Sequence, residues 1–103
     1  ELIRRYGVRC TGPGQDVQSL SGGNQQKVVV GRVAERQAQA YLFDEPTRGV
    51  DVGAREDIYT LIHQLADQGA AVIVSTPDLR EALRLGDRIG VMRAGRIVLE
   101  TTR

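Results

Sequence analysis

The sequence has almost no excess charge: 14 Lys and Arg against 13 Asp and Glu leave a net charge of +1. Such a balance sets up no field that would gather a polyanion over the whole surface, which argues against a general nucleic-acid binder. The single cysteine, Cys10, cannot form an internal disulfide; a reducing compartment and simple chance account for it equally well. No apolar run reaches membrane-spanning length, and internal repeats and low-complexity tracts are absent. The most informative gap is a motif. No Gly-rich loop ends in Gly-Lys-Ser or Gly-Lys-Thr, the arrangement that cradles nucleotide phosphates. Gly7-Val8-Arg9-Cys10-Thr11-Gly12 has the glycine spacing, but Pro13 stands where the lysine must be.

What is present centres on two short runs in a chain of 103 residues, 41% of them hydrophobic, enough for one small core. The later run is Ala40-Tyr41-Leu42-Phe43-Asp44-Glu45-Pro46-Thr47, followed by Arg48-Gly49-Val50-Asp51. Its apolar residues do not alternate, so they predict a strand buried on both faces of a helix-covered parallel sheet. Pro46 ends it. Parallel sheets present ligands at the carboxyl ends of their strands, which is where Asp44 and Glu45 fall. Neighbouring strand residues point to opposite faces, so the two acids are expected to do different work: one holding a metal, the other orienting water. The earlier run is Leu20-Ser21-Gly22-Gly23-Asn24-Gln25-Gln26-Lys27. Ser21 is a good helix cap, and Gly22 and Gly23 let the free amides of a first turn approach an anion such as phosphate. A flexible loop is the competing reading.

In order and spelling the two runs resemble the signature, Walker B and D-loop segments of ATP-binding cassette ATPases. More narrowly, Asn24-Gln25-Gln26-Lys27 and Pro46-Thr47-Arg48-Gly49-Val50-Asp51-Val52-Gly53 look like the second cassette of the tandem ATPases of bacterial ribose, galactose and related sugar importers. The resemblance extends from Leu2 to about Glu100 and covers the later part of one cassette. It implies a partial P-loop NTPase of the α/β class, with 1–37 as the tail of a helical subdomain and 38–103 as part of a catalytic core. Glu1 opens the sequence without a methionine, in what reads as the end of a helix, so a phosphate loop is expected upstream.

Leu2, Ile3 and Tyr6 read as a terminal helical turn stopped by Gly7, and 11–18 as a loop. From Asn24 to about Gln37 local propensity leans toward strand, because Val28-Val29-Val30 and Gly31 are poor helix formers. The resemblance requires a helix there; its buried stripe would be Val29, Val30, Val33 and Ala34, with Gln26, Arg32 and Glu35 toward water. Parallel strands are expected at 40–45 and 70–76, joined by a crossover helix at 53–68. In that helix Ala54, Ile58, Leu61, Ile62 and Leu65 recur on one face and Gly69 stops it. His63 lies with Glu56, Thr60 and Asp67 on the other face and reads as a solvated residue rather than a base. Asp78 to Leu85 reads as a short helix capped by Thr76 or Asp78, with Leu79, Ala82 and Leu83 inward. Residues 88–100 read as a β-hairpin turning at Ala94-Gly95. The arginines at 80, 84, 88, 93 and 96, interrupted by Glu81 and Asp87 and without interleaved aromatics, read as a solvated face, so no nucleic-acid partner is expected.

The resemblance also implies roles. Asp44 holds Mg2+ through water, and Glu45 polarises the water that attacks ATP. Ser21 and Gly23 meet the γ-phosphate of a nucleotide on the opposite cassette, Gly22, Asn24 and Gln25 belong to the same nucleotide-binding segment, and Asp51 touches that partner's phosphate loop. The site is therefore composite. Pro77 falls where most cassettes carry a switch histidine, and proline offers no side-chain donor or acceptor. The implied partners are a second nucleotide-binding domain, membrane permease subunits and, indirectly, a periplasmic or extracellular sugar-binding protein. The implied location is the cytoplasmic face of the cell membrane, held peripherally, with the chain itself soluble. The parent would be an ATPase energising carbohydrate import. A soluble ATPase of DNA repair or translation would need a coiled-coil insertion or basic tails, and neither is seen. The 103 residues alone are expected to form a non-catalytic interface or folding module without appreciable ATP binding.

Overall fold

A computed structural model of the chain describes residues 12, 14 and 22–102. The expected first helical turn, the loop at 11–18 and Ser21 therefore lie outside the described residues, apart from Gly12 and Gly14. The elements are α1 (Gly22–Ala34), β1 (Ala40–Asp44), α2 (Val52–Asp67), β2 (Ala71–Ser75), α3 (Leu79–Leu85), β3 (Arg88–Arg93) and β4 (Arg96–Thr102). β1 and β2 pair in parallel, from Ala40 opposite Ala71 to Asp44 opposite Ser75. β3 and β4 form a separate antiparallel hairpin.

Both apolar runs become strands because β-branched and aromatic side chains suit a pleated surface, but burial on both faces does not follow. Tyr41 and Phe43 are buried, whereas Leu42 is 76% exposed and Ile73, directly opposite it, is 64% exposed. The helices cover one side of the pair. β1 also ends one residue earlier than expected. At Glu45 the backbone turns to φ 48°, leaving the strand before Pro46 can interrupt it. The second strand covers 71–75 rather than 70–76.

α2 begins at Val52 and ends at Asp67, one residue before the expected bounds at each end. Asp51 caps it, its carboxylate accepting from the Ala54 amide at 2.9 Å. Gly69, at φ 97°, turns the chain back in a conformation that glycine adopts without strain. Ile58, Leu61, Ile62 and Leu65 join Val30, Tyr41, Phe43 and Val50 in the core. His63 is half-buried rather than solvated, with Nε2 at 3.4 Å from the Leu85 carbonyl.

α1 is helical despite its three valines, so packing on α2 outweighs local propensity. It spans 22–34 instead of 24–37, and Gln37 at φ 52° marks the turn beyond it. Its buried face is also different. Gly23, Lys27, Val30 and Gly31 face inward, Val33 and Ala34 are half-buried, and Val29 is 49% exposed. Gly23 allows α2 to come close, and the Lys27 stem lies in that interface with its ammonium 2.7 Å from Asp57 Oδ2. Gln26 is half-buried where it was expected in water. At the far end, the Tyr41 hydroxyl accepts from Ala38 N at 2.9 Å and donates to the Ala34 carbonyl at 3.3 Å, tying α1 to β1.

α3 is inverted relative to its hydrophobic pattern. Leu79 and Leu83 are exposed, Ala82 is half-buried, and Glu81 is 5% exposed. Asp78 caps the helix, accepting from Arg80 N at 2.8 Å, while its own amide donates to Thr76 Oγ1 at 3.1 Å, so both expected capping residues take part. The hairpin runs to Thr102, two residues further than expected. Ala94 at φ 50° and Gly95 at φ 80° give the two positive φ values of a type I′ turn.

Candidate functional site

The carboxyl ends of β1 and β2 lie side by side, so the residues that follow each strand share one edge of the molecule. Glu45 N donates to the Ser75 carbonyl at 2.7 Å, extending the pairing one step beyond the strands. The chain then turns twice, with Arg48 N donating to the Glu45 carbonyl at 3.1 Å and Val50 N to the Thr47 carbonyl at 3.0 Å. Opposite this turn, Thr76, Pro77 and Asp78 lead from β2 into α3. Between the two segments is an open pocket of about 160 Å³ whose lining includes Glu45, Thr47, Arg48, Arg55, Pro77 and Glu81. Pro77 and Glu45 therefore line the same pocket.

Asp44 and Glu45 are separated by the turn rather than by the pleat. Asp44 is the last strand residue, exposed, and makes no side-chain hydrogen bond or ion pair among the described residues. Glu45 is half-buried, with Arg48 Nη1 at 3.3 Å from its Oε2. Arg48 is well exposed, so water screens this pair and leaves the Glu45 carboxylate available. No cluster of three metal-ligating side chains occurs among the described residues. A single unpartnered carboxylate fits Mg2+, which keeps several waters and takes one or two protein carboxylates together with substrate phosphates.

A second group forms at the N-terminus of α1. A Cβ on Gly22 would lie 3.0 Å from the Gly49 carbonyl oxygen, and one on Gly23 would lie 2.4 Å from Ala54 Cβ. The close approach that these glycines were expected to grant a ligand is thus already used, at least in part, by the 49–54 segment. Asn24 and Gln25 are half-buried in the same first turn, and Asp51 caps α2 beside it. The structure seats Gly22 and Gly23 against the 49–54 segment that contains Asp51, and brings Glu45 and Pro77 into one pocket; Asp44 is not part of that lining and lies exposed at the end of β1. Val50 and Asp51 follow directly on the turn after Glu45, so the seat and the pocket are joined through a few residues.

Three buried residues that were not singled out hold the acid-bearing turn from below. Thr47 Oγ1 and Tyr59 OH both donate to Glu81 Oε2, the latter at 2.9 Å. Burial, followed by the hydrogen bond to Glu81, pushes the Tyr59 phenol above its ordinary value of 10.0 and keeps it a donor. Sequence carries no signal for this cluster, because Glu81 sits in the first turn of a short helix, where an acid is ordinary on the surface.

Comparison with known proteins places relatives beside this geometry. The ribose import ATP-binding protein RbsA of Shouchella clausii is 46% identical over 98 residues, covering 95% of this chain and 20% of its own length. The arabinose import ATP-binding protein AraG of Yersinia pestis is 50% identical over 95 residues, covering 92% of this chain and 18% of its own. The chain thus spans about a fifth of the length of the curated relatives it matches. Among solved structures, the dimeric structure of a bacterial ABC transporter cassette superposes with a TM-score of 0.81 at 27% identity, covering 98% of this chain and 44% of that one. A dimeric post-hydrolysis state bound to ADP and Pi gives the same values. No protein-family model matches.

Proposed function

The chain belongs to the ATP-binding cassette family, and on that premise we propose that it is part of an ATPase subunit that energises carbohydrate import. In this reading 1–37 carries the end of the helical subdomain with the signature segment, and 38–103 is part of the catalytic core. The subunit sits peripherally on the cytoplasmic face of the membrane against permease subunits, faces a second nucleotide-binding domain, and receives sugar indirectly from a binding protein. The observation that carries the reading is the placement of Asp44 and Glu45 at the carboxyl end of a parallel pair, one without a side-chain partner among the described residues and the other lining an open pocket.

Asp44 is the residue that would hold Mg2+, through water. When bound, the ion supplies charge neutralisation on the phosphates. Glu45 accepts a hydrogen bond from the attacking water and polarises it, help worth about a hundredfold to ten-thousandfold in rate. Ser21 and Gly23 meet the γ-phosphate held by the opposite cassette, Gly22, Asn24 and Gln25 complete that nucleotide-binding segment, and Asp51 meets that cassette's phosphate loop. Pro77 offers the pocket no side-chain donor, so contact with the γ-phosphate on that wall is left to backbone or to other residues.

The test uses the intact protein. Glu45→Gln retains nucleotide affinity and slows hydrolysis, because the amide keeps the shape but loses the charge; Asp44→Asn weakens the magnesium dependence. Hydrolysis at the parental rate in Glu45→Gln would falsify the assignment. A second reading applies to the 103 residues alone, whose sequence contains no Gly-Lys-Ser or Gly-Lys-Thr loop: a folding or interface module that binds ATP weakly or not at all. Micromolar, magnesium-dependent ATP affinity measured by calorimetry on this chain excludes it.

A further inference from the structure

α3 turns its one inward acid against its own hydrophobic pattern. Among the described residues Glu81 is the only buried carboxylate, while Leu79 and Leu83 of the same helix are exposed. Burying a carboxylate is unfavourable unless hydrogen bonds replace the lost water, so burial alone does not explain this orientation. Two hydroxyls supply that replacement. Thr47 and Tyr59 donate to the same oxygen, Oε2, from two different elements.

What Thr47 belongs to gives the contact its meaning. Glu45 holds a φ of 48°, a region disfavoured for a side chain of its size, so the surrounding contacts must over-determine it. On one side the Glu45 amide is held by the Ser75 carbonyl. On the other side, two residues along, Thr47 is held by Glu81 of α3, which begins just after Pro77. The turn that carries Glu45 is therefore clamped between the end of β2 and the helix that forms the opposite wall of the pocket.

We propose that Glu81 is a positioning residue for hydrolysis, fixing through Thr47 the turn that presents Glu45 and setting its distance from the segment at 76–78. The proposal rests on the reading of Glu45 as the residue that polarises water. It places no substrate contact on Glu81. Its effect falls on the rate of the chemical step and leaves nucleotide affinity alone, because Thr47 and Glu81 orient a group and grip no phosphate.

The experiment compares variants of the intact protein by single-turnover hydrolysis, nucleotide affinity and thermal melting. Glu81→Ala is expected to slow hydrolysis at least about tenfold with nucleotide affinity within about twofold, and Glu81→Gln to recover most of that rate, since its amide oxygen still accepts both hydroxyls. Thr47→Val, which breaks only the link to the turn, reproduces much of the loss. Tyr59→Phe removes the other hydroxyl, away from the turn, and slows hydrolysis far less than Thr47→Val. A parental rate in Glu81→Ala, or a loss of rate matched by loss of affinity, overturns the proposal. Where Glu81→Ala does not fold, equal losses in Thr47→Val and Tyr59→Phe overturn it and unequal losses in the stated order support it. Glu45→Gln is run beside them. Its loss of hydrolysis next to a parental Glu81→Ala sinks the positioning role alone, whereas a parental Glu45→Gln removes the underlying assignment and the positioning role with it.

Discussion

Gly23 and Ala54 meet where α1 crosses α2, so closely that a methyl group on Gly23 would fall 2.4 Å from Ala54 Cβ. Val50 Cγ1 lies 3.7 Å from the same point. Neither is the far end of a flexible side chain. The N-terminus of α1 is thus seated directly on the segment that Asp51 caps, and the two segments keep their spacing because one residue has no side chain and the other has the smallest.

Gly23→Ala should therefore lower stability by about 1–3 kcal/mol, the usual cost of overpacking, although alanine is the better helix former. Adding Ala54→Gly relieves the clash, so the double variant should recover part of the loss. Urea unfolding of the four species of this cycle measures it. Additive losses would show that the contact is looser than described.

Tyr59 makes a prediction in pH. Its pKa is raised above 10.0 by burial and then by Glu81, so the folded state binds the phenolic proton more tightly than the unfolded state. That stabilisation is complete below the unfolded pKa and is lost as pH rises from there through the folded value. Tyr59→Phe should flatten the fall in stability above pH 10, seen as melting temperature against pH. An equally steep fall in the variant contradicts the role given to Tyr59.

Ala94 occupies a left-handed position, φ 50°, in the hairpin turn. Asparagine tolerates that region better than alanine and is favoured before glycine in type I′ turns. Ala94→Asn should stabilise the hairpin by roughly 0.5 kcal/mol. Amide hydrogen exchange across β3 and β4 reads it locally, and faster exchange in the variant would count against the turn type.

Pro77 lines the pocket opposite Glu45 and also leads into the cap of α3. In the intact protein Pro77→His should raise single-turnover hydrolysis at this site or leave it unchanged, because it adds a side-chain donor at a position that has none. If Pro77 serves only to end β2, the variant melts earlier with no gain in rate. A large loss of hydrolysis at unchanged stability would sink both accounts and assign the shape of the pocket to the proline ring.

How far the sequence could be read depended on the range of the deciding contact. β1 and β2 were legible as short unbroken apolar runs, and α2 because its apolar residues recur at helix spacing within a few positions. The inward face of α1 was not, because three consecutive valines offer several equivalent stripes and the choice was made by Gly23 and Lys27 against α2. Asp44 and Glu45 were legible as acids at a strand end. Their separation by a backbone turn at Glu45 was not, since nothing in a glutamate announces a positive φ. Glu81 was hidden for a similar reason: its partners are 34 and 22 residues away, and burial of an acid becomes visible only when both hydroxyls arrive together.

Leu42 and Ile73, side by side on the outer face of the parallel pair, bear on the order of assembly. The register of β1 on β2 is already locked from the other side, where Tyr41 and Phe43 meet the helices, so the outer face is presented as a finished template. Any element that docks there has no strand alignment left to search for. Covering two side chains of this kind fully is worth up to roughly 3–6 kcal/mol, and an element docked there would gain it without any change in the pairing of β1 with β2.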